Sequence, residues 1–219
     1  MPIEARIDPE ASDLSSASEI GARLRAERQR MELTVRELAR RVGVSPSLIS
    51  QIERDKVNPS VSTLWGIVTA LGLTMGDLFS HVEAPRGLRP VTDHGASTST
   101  GPTTHPGSRP QLNLESGVQW ERLTATSDPL VEFLTVVYPA GAASCDEDSL
   151  VRHGGKEYGY VTKGRLGVRI GFDEYEVTAG MAISFDSSSP HRLWAIGEEP
   201  AEAIWVVVGR QGDARTAPI

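Results

Sequence analysis

The sequence has a single cysteine, Cys145, so no disulfide can form within the chain. That scarcity fits a reducing compartment, and a cytoplasmic protein is expected. Asp146, Glu147 and Asp148 follow Cys145 directly. Their charge disfavours a thiolate, so no nucleophilic role is expected for it. Long apolar runs are also missing. Crossing a bilayer takes about 18 consecutive apolar residues, whereas the longest run, Ala203 to Val208, is strand-sized. The opening "MPIEARIDPEASD" is acidic and has no apolar h-region, so no secretory signal is expected. No internal repeat is visible. Positive charge is in deficit, with 22 Lys and Arg against 29 Asp and Glu and a net charge of −7. Such a chain is no general nucleic-acid binder, although one positive segment is enough to approach phosphates.

What is present divides unevenly. Apolar content of 39% with 21 Gly and 14 Pro indicates a globular chain with many turns. Its 219 residues allow one large domain or two small ones. Residues 1–18 carry a charge of −3, residues 19–80 carry +2 and residues 81–219 carry −6. Residues 19–80 read as short helices. Residues 81–110 form a linker, of which "PRGLRPVTDHGASTSTGPTTHPGSRP" cannot bury enough apolar surface to offset its ordering entropy. Residues 111–209 read as strands and tight turns. Residues 1–18 and 210–219 are expected to be flexible tails.

The helical segment is well punctuated. A first helix over Glu19–Met31 places Ile20, Leu24 and Met31 on one side. Thr34 and Glu37 have capping-box spacing, and Val35, Leu38, Ala39 and Val42 follow at helical period. Gly43 supplies a left-handed stop, and Ser45 with Pro46 opens a third helix. A fourth helix starts at Ser60 with Leu64, Ile67, Val68 and Leu71 inward, and Thr74 and Asp77 open a short fifth. The turn "GVS" between helices two and three has helix-turn-helix spacing. On the third helix Ile49 and Ile52 point together, while Ser47, Ser50, Gln51 and Arg54 gather opposite. That outer face is short and polar enough to enter a major groove, where Gln pairs bidentately with adenine. A helical interaction module with an ordinary solvated face is the plainer alternative.

The stretch "LTVRELARRVGVSPSLISQIERDKVNPSVSTLWGIVTALGL" resembles the repressor-type helix-turn-helix of the phage repressor and Cro (xenobiotic-response-element) family over about 60 residues. The resemblance implies that Pro46, Ser47, Ser50 and Gln51 face base edges. It implies that Thr34, Arg40, Arg54, Lys56, Asn58 and Ser60 lie near phosphates. Val35 stands where many relatives carry a polar phosphate contact, and Arg36 is the nearest substitute. The resemblance also implies an ion pair of Arg28 with Glu53.

From Val118 onward, short strand-length segments separated by Gly, Pro or charge indicate an all-β sandwich or barrel. His153 and Glu157 lie four apart and His191 precedes a later strand, and these are ligand types for a divalent transition metal. Scattered surface residues are the alternative. "HGGKEYGYVTKG" and "GMAISFDSSSPH" resemble the two motifs of the cupin family, a double-stranded β-helix or jelly roll. Metal-binding cupins carry a further histidine where this chain has Val151. Asp186, Ser188 and Ala195 depart from the second motif as well. His153, Glu157 and His191 can therefore hold a metal with open positions, or line a metal-free pocket. His94 and His105, in the linker, are expected to bind nothing. Arg152, Tyr158, Tyr160 and Arg192 are candidates to receive a carboxylate or other polar effector, with some facing solvent on alternate strand positions. Phe133, Val161, Leu166, Val168, Ile183, Phe185, Leu193, Trp194 and Trp205 are expected core.

The resulting fold expectation is a multi-domain chain. An N-terminal all-α five-helix helix-turn-helix bundle precedes a C-terminal all-β cupin. The functional expectation is a sequence-specific transcription regulator of double-stranded DNA, not an enzyme. Its cupin-like domain binds a small-molecule effector, makes a homodimer, or both, without membrane contact. Two alternatives stand beside it: a metal-dependent cupin oxygenase or isomerase fused to a DNA-binding module, and an antitoxin-like interaction protein.

Overall fold

A computed structural model of the protein describes residues 20–79 and 102–209. The expected tails, residues 81–101 of the expected linker and His94 lie outside the described residues. Helices α1 (Ile20–Arg30), α2 (Val35–Val42), α3 (Pro46–Ile52), α4 (Val61–Ala70) and α5 (Met75–Phe79) come first. Their ends follow local chemistry. The Thr34 hydroxyl accepts from the Glu37 amide at 3.2 Å, and Glu37 Oε2 accepts from the Thr34 amide at 2.7 Å. This reciprocal pair starts α2. Gly43 ends α2 in the left-handed region at φ +80°, which a Cβ would disfavour. Ser45 caps α3 ahead of Pro46, and Ser60 caps α4 through the Thr63 amide. Leu24, Leu38, Ile49, Ile52, Leu64, Ile67 and Leu71 are buried together. Met31 departs from the expected stripe: it lies in the turn beyond α1 and is exposed.

The strands are β1 (Gln111–Asn113), β2 (Gln119–Arg122), β3 (Val131–Tyr138), β4 (Lys156–Lys163), β5 (Arg165–Ile170), β6 (Asp173–Thr178), β7 (Ala182–Asp186), β8 (His191–Ala195) and β9 (Ala201–Val208). They form a six-stranded sheet, β1-β2-β3-β9-β4-β7, and a three-stranded sheet, β6-β5-β8, with antiparallel pairing throughout. Alternation sorts the side chains. On β9, Ala201, Ala203, Trp205 and Val207 are buried. Val161, Leu166, Val168 and Leu193 are core as expected, and Ile183 and Phe185 pack against it half-buried. Phe133 is not core. Glu132 and Leu134 are the inward residues of β3, so parity turns Phe133 outward. Trp194 likewise alternates with inward Leu193 and lies half-buried, 5.0 Å from the Arg192 guanidinium.

The helical bundle and the barrel pack directly on each other. The Ser62 amide, in the first turn of α4, donates to Ser144 O at 3.2 Å, so the barrel satisfies one of the helix's orphan N–H groups. The Glu115 amide donates back to Pro59 O at 2.9 Å. At a third seam the Arg122 guanidinium lies 5.8 Å from the centre of the Phe79 ring. Just before β1, Thr104 Oγ1 donates to Leu123 O at 2.9 Å, and Arg109 pairs with Glu121 at 3.4 Å.

Candidate nucleic-acid interface and candidate metal centre

Helix α3 separates its faces cleanly. Ile49 and Ile52 are 1% and 2% exposed. Pro46, Ser47 and Arg54 are exposed, and Ser50 and Gln51 are half-buried. Side chains on this face join one another along the helix: Arg54 donates to the Ser50 carbonyl at 2.9 Å and to its hydroxyl at 2.8 Å. Gln51 Nε2 reaches Ser47 Oγ at 3.5 Å. Arg36, Arg40, Lys56 and Asn58 are exposed. The Thr34 hydroxyl accepts from the Glu37 amide and keeps its O–H to donate, whereas the Ser60 hydroxyl is shared among the Thr63 amide, Thr63 Oγ1 and Ser62 Oγ.

The end of α3 is held from below. Arg28 Nε donates to Glu53 Oε1 at 2.6 Å and Nη2 to Oε2 at 2.9 Å, while Nη1 donates to Leu33 O at 2.7 Å. Both side chains are under 10% exposed. The bidentate fork fixes α3 relative to α1, and the Glu53 hydrogen bond holds the Arg28 guanidinium above its ordinary range.

The second cluster forms where three elements converge. His153 lies in the loop before β4, Glu157 is the second residue of β4 and His191 opens β8. Val151 and His191 exchange backbone hydrogen bonds at 2.9 and 2.8 Å, and the His153 amide donates to Ser187 O at 3.0 Å. These bonds bring the loop to the strand. His153 Nε2 then stands 3.0 Å, and His191 Nε2 3.2 Å, from Glu157 Oε1. Each Nδ1 faces a carbonyl, Gly154 O at 3.0 Å and Ser189 O at 2.9 Å. A carbonyl only accepts, so each Nδ1 carries a proton, and each ring turns its Nε2 toward Glu157. Oε1 is buried and accepts no hydrogen bond despite the two nearby nitrogens. Three potential ligand atoms therefore lie within 4.8 Å of one another. Only protons on Nε2 or a cation relieves that arrangement, and the outward Nδ1–H bonds are those that orient metal-binding imidazoles.

Glu157 is supported on its far side. Trp205 Nε1–H donates to Oε2 at 2.7 Å. A Cβ on Gly159 would overlap the Trp205 indole, so glycine at that position lets the ring lie across β4. Burial pushes the Glu157 carboxyl up, but His153, the charge of His191 and the Trp205 N–H outweigh it and hold it down to about 2. Burial also pushes the neighbouring Tyr138 phenol upward, so it stays neutral. Cys145 is buried, and burial rather than the adjacent acids is the main cause that raises its thiol.

The cavity at this cluster has a volume of about 30 Å³ and is bounded by Val61, Trp65, Val151, His153, Glu157 and His191, among others. Tyr158, Tyr160 and Arg192 are not brought to it. Because Glu157 and Gly159 face inward, parity turns Tyr158 and Tyr160 to the opposite face. Arg192 alternates with inward His191 and donates to Cys145 O at 3.0 Å. Arg152 is exposed and lines a separate cleft between the barrel and the helices. Sequence reasoning missed Val61 and Trp65 as cavity residues. Trp65 stacks on His153 with ring centroids 4.5 Å apart and planes at 27°. Its position four residues after Val61 was the available signal, since the pair adds a second apolar face to a helix already apolar on its first.

The helix-turn-helix family model matches residues 24–78 and the cupin domain model residues 134–207. The HTH-type transcriptional regulator PuuR of Escherichia coli (strain K12) is 27% identical over 171 residues, spanning 78% of this chain and 84% of that protein. The immunity repressor protein of Bacillus phage phi105 is 43% identical over 54 residues, 25% of this chain and 38% of that protein. The crystal structure of an HTH_3 family transcriptional regulator from Vibrio cholerae superposes with a TM-score of 0.58 at 22% identity, covering 89% of this chain and 97% of that one. This last likeness is one of fold.

Proposed function

The chain belongs to the helix-turn-helix regulators that carry a C-terminal cupin domain, and from that premise we propose a sequence-specific regulator of duplex DNA, not an enzyme, whose barrel takes a small effector. The observation that carries the DNA reading is the outward polar face of α3 over buried Ile49 and Ile52. In this reading Pro46, Ser47, Ser50 and Gln51 meet base edges in a major groove. Arg36, Arg40, Arg54, Lys56 and Asn58 meet phosphates, with Thr34 and Ser60 beside them.

The working unit is a homodimer with two recognition helices about 34 Å apart on a near-palindromic site. The outer face of the six-stranded sheet supports pairing of two copies. There Phe133 and Tyr158 both register with Val206, and Tyr160 with Ile204, and the three aromatics are 38%, 47% and 49% exposed. An apolar surface of this kind marks an interaction site.

His153, Glu157 and His191 fit a divalent transition metal on the strength of three converging ligand atoms, with Glu157 Oε1 buried between the two imidazoles. Such a metal supplies a Lewis-acid anchor for an oxygen or nitrogen donor of the effector. The chain's own residues orient the two imidazoles and keep Glu157 ionised.

The test is selection of duplex fragments from a random library by the full chain, followed by footprinting. The expected result is a recurrent site with two half-sites protected about one helical turn apart. Retention of no fragment above random DNA at low salt would sink the regulator reading.

A further inference from the structure

We propose that Trp65, a residue of the DNA-binding domain, is the closing wall of the barrel's effector site, and that α4 must lift it off His153 before anything larger than a few atoms can enter. The inference rests on the reading of the barrel as an effector site.

Helix α4 is buried on two sides. Leu64, Ile67, Val68 and Leu71 pack within the helical bundle, while Val61 and Trp65, 4% and 8% exposed, turn to the barrel. A bundle that only bound DNA would have no use for that second apolar side. Behind the Trp65 ring the cavity measures about 30 Å³. A buried water needs about 10–15 Å³ on this measure, so the space suits one or two waters or an ion. In front of the ring lies a cleft of about 370 Å³ between α2, α4 and the Leu150–His153 segment. Small-molecule sites commonly span about 300–1,000 Å³. Trp65, Val151 and His153 line both spaces, so the stacked Trp65–His153 pair is the partition between the His–Glu–His cluster and a cleft of ligand size.

Trp65 cannot be treated as an isolated side chain. Its neighbour Gly66 packs so closely on Val42 of α2 that a Cβ would overlap the valine side chain. Helix α2 packs on both α3 and α4. Raising α4 therefore carries the recognition helix with it. The movement breaks the backbone bonds from Ser62 to Ser144 and from Glu115 to Pro59. A ligand that fills the opened site stabilises the undocked arrangement by its preference for it, which couples occupancy to the placement of α3.

The test uses the metal-free full chain and needs no effector. Diethyl pyrocarbonate labels accessible histidines, with exposed His105 as the internal reference. Hydrogen exchange reports the Ser62 and Glu115 amides. In the wild type His153 and His191 should react about tenfold or more slowly than His105, as expected for groups reached through a local opening. In Trp65→Ala their labelling should rise about tenfold, and both amides should exchange faster together. Trp65→Phe, which keeps a stacking ring, should stay close to wild type, and exchange in β3 and β9 reports an intact barrel. Unchanged histidine labelling in Trp65→Ala overturns the wall. In the wild type, labelling of His153 and His191 that outpaces exchange of both amides overturns the lifting of α4. Failure of any small molecule to bind, with these results as expected, would sink the effector reading instead.

Discussion

Trp205 holds Glu157 from behind: its indole N–H reaches Oε2 at 2.7 Å and leaves Oε1 for the two histidines. Trp205→Phe keeps an aromatic ring beside Gly159 and removes the donor. Oε2 is then unsatisfied and the carboxylate loses its fixed orientation. Loss of such an outer partner typically lowers metal affinity about 10–100-fold. Titration of the full chain with cobalt(II) by calorimetry should show that drop, with thermal unfolding as the check on folding. Equal affinity in both proteins would remove Trp205 from the site's support.

Arg28 and Glu53 form a buried bidentate pair beneath α3. Removing one partner leaves a buried charge uncompensated, which costs about 3–5 kcal/mol. Arg28→Met and Glu53→Gln should each destabilise the protein strongly in urea unfolding. The double variant should lose less than the two single losses combined. Strict additivity in that cycle would show that the pair does not interact.

The α2 capping box makes stability depend on pH. The Thr34 amide and hydroxyl hold the Glu37 carboxyl below its ordinary value of 4.5. A carboxyl lowered by folding contributes stability that is present above its unfolded pKa and is lost as pH falls through the folded value. The margin of wild type over Glu37→Gln should be largest near neutrality and shrink below pH 4.5. Denaturant unfolding of both proteins across that range measures it, and a margin that grew on acidification would contradict the capping geometry.

Sequence reading reached furthest where chemistry is local. Thr34 with Glu37, Gly43, and Ser45 with Pro46 act on neighbours within four residues, and the helices end where those signals fall. The His153, Glu157 and His191 cluster was legible through the resemblance of its two motifs to those of the cupin family; the spacing of His153 and Glu157 alone left scattered surface residues as an alternative. Phe133 departs from its core expectation, and Tyr158 and Tyr160 take the solvent-facing alternative, as strand parity dictates. An inward Glu157 sends 158 and 160 outward, and an inward Glu132 does the same to 133. Trp65 was legible only in part: its spacing from Val61 marks a second apolar face on α4 but not what that face meets. Its role exists only because two domains distant in sequence pack together.

The aromatic outer sheet makes the dimer testable. Tyr158→Asp with Tyr160→Asp puts two charges on the face around Val206 and Ile204 without touching the inward residues of β4. Light scattering should show the wild type as a dimer and the double variant shifted to monomer, with barrel folding intact by circular dichroism. A dimer unaffected by both charges would place the contact elsewhere.

Base readers and phosphate anchors differ in how they fail. Gln51 lies half-buried on the outer side of α3, and Lys56 is exposed just beyond its end. A bidentate amide contact to one base discriminates by about 1–3 kcal/mol. Gln51→Ala should therefore lose that much on the selected site and little on random duplex, with relaxed preference at one base position. A phosphate contact carries no sequence information, so Lys56→Ala should weaken both DNAs alike and reduce the slope of log affinity against log salt by about one. Fluorescence anisotropy over a salt series separates the two. Equal losses on specific and random DNA for both variants would strip Gln51 of its reading role and leave α3 as a backbone clamp.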